Sequence, residues 1–251
     1  MITAITFDFW DTIVLDDSDE PKRQKKGLLP KVESRKKIFV EEIRQHHPKI
    51  PQTTIEKGLD DANAWFLHCW KKEHHTPTVT SRLERACQNL GILPTPGLDR
   101  VIEQYETMEV ITPPDFAPGI ADCLRELSQK YALGIISDTI VSPGTSLQKI
   151  LKAADLLQYF QVFVFSDEVG AAKPAPQVFA EARTQFQVEY HQMVHIGDRE
   201  QNDILGPLEV GMNGILYTGA IDRGTENSKA YAICHHHDQL PAIIALLSQG
   251  S

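Results

Sequence analysis

Apolar and polar positions follow two rhythms along this chain. Residues 2–7, 132–136, 162–165, 193–196 and 214–217 are short, nearly continuous apolar and β-branched runs. Runs of that length are expected to be strands buried on both faces. Between them, apolar residues recur at three and four. In 119–130, Ile120, Cys123, Leu124 and Leu127 share one helical face. In 143–158, Leu147, Ile150, Leu151 and Ala154 do the same, with Ser142 as the expected N-cap and Pro143 at the first helical position. Further helices are expected at 176–186, at 202–210, where Pro207 should bend the segment, and at 240–247. Strand and helix in alternation predict βαβ units, hence an α/β fold with a doubly wound, Rossmann-like parallel sheet covered on both faces.

Residues 16–112 show only the helical rhythm. Ile38, Phe39 and Ile43 form one stripe in 34–46, and Ile55, Leu59, Ala62, Phe66 and Trp70 form another in 54–72. Helical patterns at 81–90 and 98–109 complete the block. Trp65, Phe66 and Trp70 are expected to belong to its own core. The Pro-rich stretch 111–119 leads the chain back. The expected organisation is a core of residues 1–15 and 113–251, with an all-α cap of residues 16–112 inserted after the first strand. In open α/β sheets, ligands bind outside the carboxyl ends of the strands. The insertion leaves from that end, so it would roof a site there.

Charge supports the division. The chain carries 25 Lys plus Arg and 34 Asp plus Glu, a net charge of −9. Residues 16–112 hold 16 of each sign, so the whole deficit lies on the flanking segments. The cap opens on Asp16, Asp17, Asp19 and Glu20, followed by Lys22, Arg23, Lys25 and Lys26. This stretch is expected to be a solvated, mobile loop, with a basic rim for an anionic substrate as the sharper alternative.

Composition narrows the class. At 251 residues and 41% apolar, the chain is globular, which excludes disorder and collagen-like repeats. No apolar run approaches the ~18 residues of a spanning helix. The acidic balance argues against nucleic acid and anionic membranes as partners. Residues 1–8 lack the basic start of a secretory signal. Cys69, Cys87, Cys123 and Cys234 are widely spaced, which suits packed, reduced thiols in a cytoplasmic protein, monomeric or homodimeric. His235, His236 and His237 have no spaced partners and are expected in a solvated loop. His46, His47, His74 and His75 are expected at helix ends.

The chemistry gathers at the strand ends. Asp8 follows the first strand, with Asp11 and Thr12 close behind. Ser137, Asp138 and Thr139 follow the second strand, and Lys173 lies in the loop after the third. Gly197 and Asp198 follow the fourth, with Asp203 five residues on. Such carboxylates would repel one another unless a divalent cation and a lysine offset them. All-oxygen ligands favour Mg²⁺, and the assembly suits an anionic, phosphoryl-bearing substrate.

The order Asp8-Phe-Trp-Asp-Thr12, Ser137 after Gly134-Ile-Ile, Lys173-Pro-Ala-Pro176 and Gly197-Asp198-Arg-Glu-Gln-Asn-Asp203 resembles the four motifs of the haloacid dehalogenase-like hydrolase superfamily. The run Ser166–Lys173 and Val210-Gly-Met212 also look like that family. The resemblance covers both core segments, and the helical insertion matches the family's cap. It implies Asp8 as the nucleophile and a Mg²⁺ ligand, the Trp10 backbone carbonyl as a second ligand and Asp198 as a third. Asp203 would hold these groups or ligate through water. Ser137 would donate to a phosphoryl oxygen, Lys173 would neutralise the nucleophile and the transferring group, and Thr12 would brace the loop. Asp138 is expected beside the substrate. The implied activity is a Mg²⁺-dependent phosphatase acting on a small phosphorylated metabolite.

One position departs from the pattern. The family's phosphatases carry a second Asp two residues after the nucleophile, which protonates the leaving oxygen and then activates water. Here that position is Trp10, whose indole is a donor only and does not titrate. Loss of a positioned acid/base costs ~10²–10⁴-fold in rate. Asp11 is the nearest substitute. Two alternatives therefore stay open: a phospho-ligand-binding protein with impaired turnover, and a dehalogenase-like attack on carbon.

Overall fold

A computed structural model describes residues 1–249. The five expected strands form, and a sixth joins them: β1 (Ala4–Phe7), β2 (Ala132–Ser137), β3 (Val162–Phe165), β4 (Met193–Gly197), β5 (Asn213–Tyr217) and β6 (Ala232–Cys234). They make one sheet in the order β3-β2-β1-β4-β5-β6, with every pair parallel. Alternate residues face opposite layers, as the pleat requires. Ile5, Phe7, Leu133 and Ile135 pack with Ile120 and Leu124 of α7 (Ile120–Leu127), Leu147 and Ile150 of α8 (Gly144–Ala153) and Ile244 of α12 (Leu240–Gln249). Ala4, Ile136, Val162 and Val164 face the other way, onto Val178, Phe179 and Ala182 of α10 (Pro176–Phe186). The sheet is thus covered on both sides, and its strands read as continuous apolar runs for that reason.

Between β1 and β2 the chain is wholly helical: α1 (Glu20–Lys25), α2 (Lys31–His46), α3 (Gln52–Glu73), α4 (Val79–Asn89), α5 (Leu98–Glu106) and α6 (Met108–Ile111). This block has its own apolar centre, in which Phe39, Ile43, Ile55, Leu59, Ala62 and Leu83 are all buried. Entry and exit run side by side. The Leu15 amide donates to Asp115 at 2.8 Å, the Ala117 amide donates to Ile13 at 2.9 Å, and Val14 pairs antiparallel with Phe116. The short helices α9 (Ser166–Val169) and α11 (Gly206–Glu209) complete the set.

Four local expectations need correction. Residues 16–26 are not a solvated loop. Asp19 is fully buried and accepts from Lys31 Nζ at 2.8 Å, and Arg23 donates to the Leu29 carbonyl and to Ser34. Lys22 pairs with Asp115 at 2.7 Å and Lys26 donates to the Thr112 hydroxyl at 3.2 Å, so three of the four basic side chains are engaged by the protein itself, while Lys25 is exposed. Ser142 does not cap α8; its hydroxyl donates to Glu109 at 2.7 Å, and Pro143 stands at the cap. The segment before Pro207 is a π-helical turn, Glu200–Leu205, and the α-helical geometry begins only at Gly206. His237 is not solvated. It is fully buried, its ring lies 4.2 Å from that of Tyr217, and Nδ1 meets the Pro118 carbonyl at 3.1 Å. His235 and His236 are exposed, as expected. The cysteines are buried and unpaired. Among the described residues, no helix is long and apolar enough to cross a membrane.

Candidate active site

Strand register brings the charged residues together. Phe7 is level with Ile135 on one side and Ile196 on the other. Asp8 therefore leaves β1 where Ser137 closes β2 and Gly197-Asp198 close β4. The Asp8 amide donates to the Ile196 carbonyl at 2.8 Å, which continues the ladder to the edge of the sheet. Asp8, Asp198 and Asp203 place carboxylate oxygens within 4.8 Å of one another, and all three are buried. Gly197 makes this approach possible: a Cβ there would lie 2.4 Å from the Asp203 carboxyl carbon.

Lys173 is the counter-ion. Its Nζ lies 3.0 Å from Asp8 Oδ1 and 2.5 Å from Asp203 Oδ1, with the side chain almost entirely buried. Burial opposes its charge, but Asp203 and Asp8 outweigh burial and hold it above the ordinary lysine range. Asp203 is correspondingly held below the ordinary carboxylate range: burial works against ionisation, and Lys173 and His195 prevail. Asp8 moves the other way. Burial raises its pKa, Lys173 lowers it, and the neighbouring Asp203 raises it again. Burial, with Asp8 and Asp203 adding repulsion, pushes Asp198 up to about 6 against the pull of Arg223.

The remaining expected residues divide into two groups. Ser137, Asp138 and Lys173 stand at the same edge. Asp138 accepts from the Lys173 amide at 2.9 Å on Oδ1 and from the Trp70 indole at 3.1 Å on Oδ2. Thr139 ties the loop after β2 to α9 through Ser166 and Asp167. Ser137 is buried, and its hydroxyl has only a long 3.4 Å contact to the Asp138 carbonyl, so it keeps a donor for a ligand. Asp11 and Thr12 are turned elsewhere. Asp11, at φ 51°, accepts from the Asp16 amide at 3.0 Å and from Arg223 at 2.8 Å. Among the described residues no hydrogen bond or ion pair joins Asp11 to Asp8. Thr12 is fully buried, but its hydroxyl has no hydrogen-bond partner, so it braces nothing through that oxygen. Trp10 lies edge-on to Phe9 at 5.1 Å and borders a cavity of about 470 Å³ toward the helical block.

Three participants escaped the sequence reading. His195, within β4, has Nε2 3.2 Å from Asp203 Oδ1 and Nδ1 2.8 Å from the Thr6 hydroxyl. A histidine inside a buried strand was the available signal. Trp70 is not core of the helical block but reaches across to Asp138 from α3. Arg223, in the loop between β5 and β6, donates from Nε to Asp198 Oδ2 at 2.5 Å while also holding Asp11. No pattern in the loop sequence distinguishes that arginine from its neighbours.

The residues fit a divalent cation. Asp198 Oδ1 is a buried oxygen with no hydrogen-bond partner among the described residues and only a long 3.9 Å ion pair to Arg199 Nε, in a residue clustered with two other carboxylates. Such an oxygen is costly unless something electropositive meets it. The donor set is all oxygen, which suits Mg²⁺. Asp203 is less available, since Lys173, His195 and the Arg199 amide already occupy its two oxygens.

Comparison with known proteins places this arrangement. The model of the haloacid dehalogenase-like hydrolase family matches residues 2–211. A glyceraldehyde 3-phosphate phosphatase of Pyrococcus abyssi is 36% identical over 94 residues, which cover 38% of this chain and 37% of that protein. The chain therefore spans well under half the length of this curated relative. Two solved structures align almost throughout. A HAD phosphatase from Thermococcus onnurineus has a TM-score of 0.62 at 20% identity, covering 97% of this chain and 98% of its own. A 2-haloacid dehalogenase from Pseudomonas syringae has a TM-score of 0.61 at 18% identity, covering 98% and 99%. At such identities the likeness is one of fold.

Proposed function

The chain belongs to the haloacid dehalogenase-like hydrolase family, and on that premise we propose that it is a Mg²⁺-dependent phosphatase of a small phosphate monoester or acyl phosphate. The observation that carries the proposal is the joint setting of Asp8 and Asp198. Asp8 is a buried carboxylate held by Lys173, beside an Asp198 oxygen that accepts no hydrogen bond among the described residues and has Arg199 Nε only at 3.9 Å. Residues 1–15 and 113–251 act as the catalytic core, and residues 16–112 act as its cap. The phosphatase relative from Pyrococcus abyssi supports the choice of phosphoryl over carbon chemistry, as do the retained Asp198 and Asp203.

In this reading Asp8 attacks phosphorus in line, a P–O bond forms to its carboxylate, and the bond to the leaving oxygen breaks. Lys173 stays protonated beside it and offsets charge on the transferring group. The Ser137 hydroxyl, otherwise nearly unpartnered, donates to a phosphoryl oxygen. Asp8, Asp198 and the Trp10 carbonyl would hold Mg²⁺, which when bound would supply charge neutralisation to the phosphoryl oxygens. His195 and Lys173 fix Asp203, and Arg223 fixes Asp198 through Oδ2 so that Oδ1 is left to the cation. Water then cleaves the aspartyl-phosphate. With Trp10 in the acid's place, the leaving oxygen departs without a proton from that position. A good leaving group such as an acyl oxygen eases that step.

Trp10 also favours a second reading, a phospho-ligand-binding protein with impaired turnover. The deciding measurement is hydrolysis of acetyl phosphate and p-nitrophenyl phosphate by purified protein with and without Mg²⁺. Asp8→Asn is expected to remove Mg²⁺-dependent turnover by about 10⁴-fold. Unchanged turnover in that variant defeats the phosphatase reading. Metal-independent chloride release from 2-chloropropionate would instead assign attack on carbon.

A further inference from the structure

The helical block contains a buried cation that the core chemistry does not use. Arg82, on α4, is only 7% exposed. Its guanidinium stacks on the Phe66 ring at 3.4 Å and donates through Nη2 to the Ile140 carbonyl. Nε has no hydrogen-bond partner. Among the described residues no carboxylate lies in ion-pair range of Arg82, and its charged neighbour is another arginine, Arg35. Arg35 spends Nη2 on both oxygens of Glu109, at 2.8 and 3.0 Å, and its own Nε is buried without a partner. Glu109 also lies 3.5 Å from Lys31, so it cannot balance both arginines.

A buried charge without a counter-ion is costly, and two like charges side by side add to the cost. An outside carboxylate or phosphate would complete such a group, since the guanidinium fork matches either anion. A cavity of about 250 Å³ lies against these residues, walled by Arg35, Arg82, Phe66, Tyr105 and Ile140. Its one lining carboxylate, Asp60, is engaged by Lys36 at 3.4 Å. The larger cavity bordered by Trp10 shares Val32, Arg35, Ile140 and Val141 with it. That cavity is lined in addition by the carboxylates Asp16, Asp17, Glu20 and Glu109 and the cations Lys31 and Arg199. Ile140 and Val141 belong to the same loop that carries Ser137 and Asp138. The two spaces therefore adjoin and run from Trp10, two residues after Asp8, to the arginines.

We propose that this recess binds a substrate carrying two anionic ends, and that Arg82 and Arg35 receive the second one, a carboxylate or a phosphate, away from Asp8. The proposal rests on the reading of the Asp8 site as the place of the transferred phosphoryl group. It adds that the substrate is a phosphorylated acid or a bisphosphate rather than a neutral phosphate ester. The Phe66 ring keeps the Arg82 guanidinium plane fixed, Glu109 holds the Arg35 guanidinium through Nη2, and Tyr105 anchors the Arg35 backbone by donating to its carbonyl at 2.5 Å. Both arginines are thus ordered before an anion arrives.

Calorimetric titration in the Asp8→Asn background with Mg²⁺ tests this without turnover. One pair of probes is 3-phosphoglycerate against glycerol 3-phosphate. The other is fructose 1,6-bisphosphate against fructose 6-phosphate. The first pair reads a carboxylate and the second a phosphate. In at least one pair the doubly anionic member should bind about 10-fold or more tightly. Adding Arg82→Gln should bring that ratio below about two-fold, while Arg82→Lys keeps part of it. Without ligand, Arg82→Gln should melt no lower than its parent, because it removes an unpaired buried charge. Equal affinities in both pairs, absence of binding, or a preference that survives Arg82→Gln overturns the proposal. An Arg82→Gln chain that unfolds also overturns it, by making the arginine a structural one. Loss of the phosphatase reading shows itself separately, in the Asp8→Asn turnover assay.

Discussion

Lys173 and Arg82 are both buried cations, one at the edge of the sheet and the other in the helical block. Lys173 meets two carboxylates within 3.0 Å, and one of them, Asp203, is in turn held by His195 and the Arg199 amide. Arg82 meets a carbonyl oxygen and an aromatic ring. The sheet edge is thus nearly complete in itself, with one carboxylate oxygen of Asp198 left open. In the helical block, whose charges balance as a whole, Arg82 is left without a carboxylate partner among the described residues. Chemistry common to many substrates calls for a fixed set of charges, whereas choice among substrates calls for a charge that only the right ligand completes. The two regions divide along that line.

The contrast is broken most directly by removing each cation in turn. Lys173→Met leaves Asp8 and Asp203 buried without their partner and should cost about 3–5 kcal/mol in urea denaturation. Arg82→Met should cost about 1 kcal/mol or less, since it ends one carbonyl bond and replaces an uncompensated charge. Equal losses would mean that both cations are structural. A second test concerns the gap in the sheet edge. Trp10→Asp should raise Mg²⁺-dependent hydrolysis of p-nitrophenyl phosphate by about 10²-fold, because a titratable group returns beside the leaving oxygen. No gain, with good activity of the parent, would mean that another group supplies the proton. The smallest effect is expected where the two regions touch. Trp70→Phe removes the indole donor to Asp138 and should cost about 1 kcal/mol, read as a rise of several-fold in KM with kcat little changed.

Much of the sheet edge was legible in the chain. Buried strands announce themselves as short apolar runs, and a charged residue at the end of each run stands out against them. Asp8 and Asp198 were visible for that reason, Ser137 as the polar end of the second run, and Lys173 by its place in the loop after the third. The helical block was equally plain from Ile55, Leu59 and Ala62 at helical spacing. β6 was missed because three residues with one buried side chain carry too little periodicity to mark a strand. The reading of 16–26 as a solvated loop failed because Asp19, Lys22 and Lys26 find partners further along the chain, in Lys31, Asp115 and the Thr112 hydroxyl. Local composition does not record such partners.

Sequence alone determined the fold class, the all-helical insertion and the types of side chain delivered to one edge, because these follow from periodicity and from the order of elements. It also revealed that Trp10 stands where a titratable acid would be expected. Only the tertiary structure decided which charges cancel and which remain. Pairing depends on distances of a few ångströms between residues as far apart as Asp11 and Arg223, or Trp70 and Asp138. It also decided that Asp11 is spent on Arg223, that Asp198 keeps an open oxygen and that Arg82 keeps an open charge. The Coulomb energy of a buried group varies steeply with such distances, and the linear order of residues does not contain them.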